Sequence, residues 1–200
     1  MRSELVKSVA ARLALILMSA LLVLIFVSWL LSATTGDNVR SLLSPEGIRF
    51  FFGGFAEMVQ KPLLVWLLLL SMSWGCLRES GLLGAFSLPV GYRQRQGLLL
   101  VAVLLLVIVG VMLLLTSTSH AVLQSATGQL WPSPFSRALV PVVAFAVVIL
   151  SSVYGLATRR FLSVSDVCGS LIAGIASAAP LLFIYVLAVQ FYDSLLFVFG

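Results

Sequence analysis

The stretch from residue 97 to residue 116 runs for twenty positions without one charged side chain. A hydrocarbon core about 30 Å thick takes roughly 20 residues of helix at about 1.5 Å each, so this run matches a membrane crossing. Four further apolar runs resemble it, at residues 13–32, 62–83, 138–158 and 169–190. Lipid offers no hydrogen bonds, so each crossing must satisfy its backbone internally, which a helix does. The expected fold is an all-α polytopic transmembrane helical bundle of about five spans, forming a single membrane domain over residues 1–200. Charged residues are only 10% of the chain, against about 25% in soluble domains, too few to cover a water-facing surface.

The ends of the runs carry their own signals. Arg2, Lys7 and Arg12 precede the first run, as positive charge precedes the core of a signal peptide. Such cores are about 7–15 residues long, whereas this run is longer, so a retained helix is expected. Residues 45–60 read PEGIRFFFGGFAEMVQ, too short and too charged to span. Ser44 can cap a helix there, with Pro45 at its first position and Glu46 in its first turn. The phenylalanines around Gly53 and Gly54 suit an interfacial or re-entrant helix. The apolar part of the next run, residues 62–77, would cover only about 24 Å and is expected to continue to residue 83. Residues 84–96, with Pro89, Gly91, Arg93 and Arg95, read as a loop.

Basic residues set orientation. With the N-terminus inside, the cytoplasmic side holds eight of them (Arg2, Lys7, Arg12, Arg78, Arg93, Arg95, Arg159, Arg160) and the other side four (Arg40, Arg49, Lys61, Arg137). The expectation is a bacterial inner membrane protein with its N-terminus cytoplasmic and its C-terminus outside. The net charge of +5 comes from these flanking positions, so a nucleic-acid partner is not expected.

Catalytic chemistry finds few residues to work with. His120 is the sole histidine, which excludes HExxH and multi-histidine metal clusters within one chain. Cys76 and Cys168 are isolated, and no P-loop sequence is present. No enzyme activity, cofactor or metal is expected. An ionisable group in a bilayer is costly and functional by default, yet none lies near the middle of a span. Arg78 and Glu79 end the second span and Asp193 ends the fifth, so Glu79, Ser80, Ser119, His120 and Asp193 are the candidate polar transport or coupling residues. Gly169, Ala173, Gly174 and Ser177 offer small side chains at helical spacing for close helix packing. Pro180 would mark a kink.

The sequence LLSPEGIR at residues 42–49, followed by Glu79-Ser80-Gly81-Leu82, resembles the AbgT family of transporters. The resemblance implies an ion-coupled, dimeric inner-membrane transporter with re-entrant hairpins, for small organic anions such as p-aminobenzoyl-glutamate or for drug export. The chain departs from the family at several points. It has well under half the usual length, so a second repeat is expected to be missing. Arg78 stands where the family's motif has an acidic residue. Ser117-Thr118-Ser119-His120-Ala121 lacks the asparagine and aspartate of the family's substrate and sodium hairpin. Two functions follow as expectations. One is a half-length transport protein acting as a homo-oligomer or with other membrane subunits. The other is a non-transporting subunit or scaffold of a larger envelope complex.

Overall fold

A computed structural model describes residues 2–35, 39–86, 91–117 and 134–200. Seven α-helices make up the described chain, and no strand occurs among the described residues. They are α1 (Arg2–Thr35), α2 (Pro45–Ile48), α3 (Phe55–Val59), α4 (Pro62–Ser80), α5 (Tyr92–Ser117), α6 (Pro134–Ala157) and α7 (Val164–Phe199). A π-helical turn, Arg49–Gly53, joins α2 to α3, and a 3-10 turn, Leu83–Phe86, follows α4. Five helices, α1, α4, α5, α6 and α7, are long and apolar enough to cross a membrane. The chain is an all-α multi-pass membrane protein.

α1, α5 and α7 outrun the apolar stretches that define them, whereas α4 stops at Ser80, short of the expected residue 83. The fifth run covers residues 169–190, whereas α7 extends over 36 residues and stays continuous through Pro180. α5 starts at Tyr92, so part of the expected loop at 84–96 is helical. A helix leaving the hydrocarbon keeps its own hydrogen bonds, and nothing in polar headgroups obliges it to stop. Hydropathy therefore marks the lipid-facing part of a helix and not its ends. Residues 45–60, expected as one interfacial helix, divide into α2, the π turn and α3. Ser44 caps this segment as anticipated, its hydroxyl accepting from the Gly47 N–H at 3.0 Å with Pro45 at the first turn.

The chain divides into two compact units, Met1–Val65 with Ala178–Gly200, and Trp66–Ser177. In the first unit, α1, the segment after it and the second half of α7 enclose Leu24, Leu42 and Val198. The Arg40 N–H donates to the Val198 carbonyl at 3.2 Å, and the Leu42 N–H donates to Ser28 Oγ at 3.2 Å. Phe50 stacks on Phe197 with ring centroids 4.4 Å apart, beneath the Arg40 guanidinium. These contacts fold the connection after α1 back onto the end of α7.

In the second unit the pairing partners show how the helices run. Gly97 of α5 meets Tyr154 of α6 and Thr158 just past its end, while Leu113 and Leu139 line one groove near their other ends, so the two are antiparallel. α4 and α7 approach most closely at Gly75 and Gly174. A Cβ on Gly75 would strike the Gly174 backbone and the Ser170 carbonyl, and one on Gly174 would strike the Ser71 carbonyl. Backbone contact of this kind is how helices gain dispersion energy where lipid supplies no hydrophobic drive. Gly174 and Ser170 are buried in this seam, Ala173 is half-buried, Ser177 is exposed, and a Cβ on Gly169 would meet open space.

Gly75→Val and Gly174→Val each force a branched side chain into the facing backbone, and overpacking on this scale costs about 1–3 kcal/mol or more. Thermal unfolding in mild detergent should show a clearly lower midpoint for both variants. Unchanged midpoints would mean that α4 and α7 do not meet there. Ser44→Ala should cost about 1 kcal/mol of local stability, read as faster hydrogen exchange at the Gly47 amide.

Candidate functional site

A lysine begins this site. Lys61 directly precedes α4, and Pro62 starts the helix at a position where no N–H is needed. Its ammonium reaches across the first unit to α7 and donates to both Asp193 carboxylate oxygens, at 2.7 and 2.8 Å. The Lys61 side chain is 42% exposed and that of Asp193 only 13%. The cation thus keeps contact with solvent while the carboxylate is largely enclosed. Lys61 Nζ also lies 5.7 Å from the centroid of the Tyr192 ring, within range of a cation–π attraction. Among the described residues this is the only salt bridge.

The helical register sets the neighbours of Asp193. Gln190 and Ser194 stand four residues apart on α7 and share a face, with Asp193 beside them. Gln190 is 5% exposed and Ser194 fully buried. Gln190 Oε1 and Nε2, Ser194 Oγ and the Tyr185 hydroxyl are enclosed with no hydrogen-bond partner among the described residues. An unpaired buried polar group costs about 1–3 kcal/mol, and such groups are rare without a reason. The second half of α7 therefore carries an ion pair beside a glutamine and a serine that retain unused hydrogen-bonding capacity, with a third such group, Tyr185, about 12 Å back along the helix. That set can hold a carboxylate through Lys61 and orient polar groups through Gln190 and Ser194. It offers no nucleophile activated by a base. No group of three or more His, Cys, Asp or Glu suited to a metal occurs among the described residues.

The structure distributes the residues expected to act in transport. Asp193 belongs to the first unit, and Glu79 and Ser80 to the second. Glu79 is exposed at the end of α4 and forms no ion pair among the described residues. Ser80 is fully buried, but its hydroxyl is occupied, donating to the Leu77 carbonyl at 3.0 Å and accepting from the Leu82 N–H at 3.3 Å. It closes the C-terminal turn of α4, where Gly81 takes a φ of +74° that L-residues avoid. Ser119 and His120 lie outside the described residues. Lys61, Gln190 and Ser194 were not anticipated from sequence. Gln190 had a signal, a carboxamide at the edge of an apolar run, but Lys61 resembles any interfacial lysine until its distant partner is known.

The Lys61–Asp193 interaction is open to a double-mutant cycle. Lys61→Met and Asp193→Asn, separately and together, should give a coupling of about 1 kcal/mol in thermal unfolding, modest because Lys61 is well solvated. A coupling near zero would remove the pair from the structure in solution.

Compared with known families, residues 85–197 match the AbgT putative transporter family. The matched segment covers more than half of the chain. It begins beyond the LLSPEGIR and Glu79-Ser80-Gly81 motifs, and it contains Asp193, Gln190 and Ser194 but not Lys61. No curated protein matches the chain, and no solved structure does.

Proposed function

We propose, from the premise that this chain belongs to the AbgT putative transporter family, that it takes part in the transport of small organic anions or drugs across a bacterial inner membrane. The observation that carries the reading is the Lys61–Asp193 pair, set beside the unpaired polar groups of Gln190 and Ser194. A carboxylate substrate has the same charge and shape as the group Lys61 already holds. Exchange of Asp193 for a substrate carboxylate keeps the ammonium neutralised throughout, so no bare charge is exposed to a low dielectric. Gln190 and Ser194 supply hydrogen bonds that discriminate among anions, and the Tyr192 ring provides a surface for an aromatic group. The protein acts as an oligomer in this reading. Its N-terminus is cytoplasmic, because eight of its twelve basic residues fall on that side.

A second reading is favoured by the second unit. Two grooves there, of about 500 and 380 Å³, are lined by apolar side chains alone. α5 directs Leu99, Leu106, Leu113 and Leu114 outward along its length. Surfaces of this kind suit a non-transporting subunit held in a larger membrane assembly.

The full chain reconstituted in liposomes distinguishes the two. With p-aminobenzoyl-glutamate as probe, transport should exceed that of protein-free liposomes, and Lys61→Gln should lower it by about tenfold or more, the loss of one charge-assisted contact of roughly 1.5–3 kcal/mol. Absence of transport, together with stoichiometric co-purification of unrelated membrane proteins in mild detergent, would establish the subunit reading instead.

A further inference from the structure

Five arginines of the second unit flank segments that meet around one buried tyrosine. Tyr154 packs with Leu82 and Ala85, and Leu77 of α4 and Leu98 and Val101 of α5 close over the cluster. Arg78 follows Leu77 directly, Arg93 and Arg95 lie within one turn of Gly97, and Arg159 and Arg160 follow the end of α6. All five are exposed, and none forms an ion pair among the described residues. Two acids share this end. Glu79 is exposed and outside any ion pair among the described residues, while Asp166 Oδ2 accepts from the Leu162 and Ser163 N–H groups at 2.7 and 3.1 Å. Five positive charges therefore meet two negative ones, an excess of three at this end.

Two features of the backbone bear on Arg159 and Arg160. Arg159 has a φ of +57°, the left-handed conformation in which a helix end normally carries glycine. A long basic side chain is kept here despite its strain, and such outliers point to a use for the side chain. The Arg160 guanidinium lies against Gly81, where any Cβ would collide with it. Its head is thus seated on the turn that ends α4.

An apolar groove lies nearby in the same unit. It holds about 500 Å³ among α4, α5, α6 and α7, with Met72, Ile108, Phe145, Val148 and Leu171 among its walls. A second apolar groove between α5 and α6, of about 380 Å³, shares Ile108, Val142 and Ala146 with it. From Ile149, in the first groove, to Ala157 at the end of α6 is about 12 Å of helix rise, and Arg159 and Arg160 follow at once. The chain crosses a membrane, and a molecule with an anionic head and apolar tails spans that distance.

We propose that the second unit binds an anionic phospholipid, its headgroup at the end that carries Arg78, Arg93, Arg95, Arg159 and Arg160 and an acyl chain lying in the α4–α7 groove. Guanidinium groups pair with phosphate oxygens in bidentate fashion, and basic clusters beside membrane helices recruit anionic headgroups. The site is independent of Lys61 and Asp193, so it stands whether or not the protein transports.

The full chain in neutral detergent provides the test, with thermal unfolding followed as lipid is added. Phosphatidylglycerol should raise the midpoint by roughly 5–10 °C at saturation, and phosphatidylcholine with the same acyl chains should raise it by much less. R93Q/R95Q/R159Q should unfold normally in detergent alone and lose the difference between the two lipids. Should that variant fail to fold, the wild-type comparison decides alone. A short-chain phosphatidylglycerol should stabilise less than the long-chain lipid, because it leaves the groove unfilled. Equal effects of the two headgroups, or an anionic preference that survives the arginine substitutions, would overturn the proposal. A full effect from inorganic phosphate alone would overturn it too, since the site would then hold a free anion.

Discussion

Everything in this protein follows from the need of each peptide group for a hydrogen bond in a solvent that offers none. Helices meet that need within a segment, and the small polar side chains obey the same rule. Ser28 donates to the Ile25 carbonyl, Ser71 to Leu68, Ser73 to Leu70, Ser170 to Val167 and Ser177 to Gly174. Each hydroxyl donates within its own helix, and Ser28 Oγ also accepts from the Leu42 N–H. Close packing at Gly75 and Gly174 then becomes possible beside serines without a polar penalty. Against this background, the hydroxyls of Ser151, Tyr185 and Ser194 and the Gln190 carboxamide are the buried groups left without a partner among the described residues.

The spans could be read from sequence because lipid imposes a length and a composition that few other environments share. Residues 97–116 fall inside α5 and residues 138–158 follow α6 closely for that reason. The Ser44 cap could be read because capping is local, a matter of Ser44, Pro45 and Gly47 within one turn. The helix ends could not, since the chemistry that favours a helix does not change sharply where hydrocarbon gives way to headgroups. Nor could the Lys61–Asp193 pair, whose members lie 132 positions apart. Each alone looks like a charge waiting at an interface, and only the fold of the first unit brings them together.

Family membership and site geometry bear on different parts of the chain. The match to the AbgT family covers residues 85–197 and so takes in both α5–α6 and the polar end of α7. The eight residues from Leu42 to Arg49 that first suggested the family lie before it. In the structure they are the segment that folds back on the end of α7, with Phe50 stacked on Phe197. A motif outside the matched segment thus packs against its last residues within one unit. The polar cluster of α7 is held by residues from both parts, Asp193 from one and Lys61 from the other.

The length of α7 carries a further consequence. Its 36 residues amount to about 54 Å of helix, well beyond the roughly 30 Å of hydrocarbon, yet apolar residues occur along nearly all of it. Such a helix fits by leaning, by drawing thicker bilayer around itself, or by standing proud of the surface, each at a small cost per ångström of mismatch. Lys61 and Asp193 sit toward the far end of that helix, so membrane thickness governs how deep the pair lies and how well its charges are solvated. A change of lipid chain length would act on this protein as a mechanical input, registered first where α7 leaves the hydrocarbon.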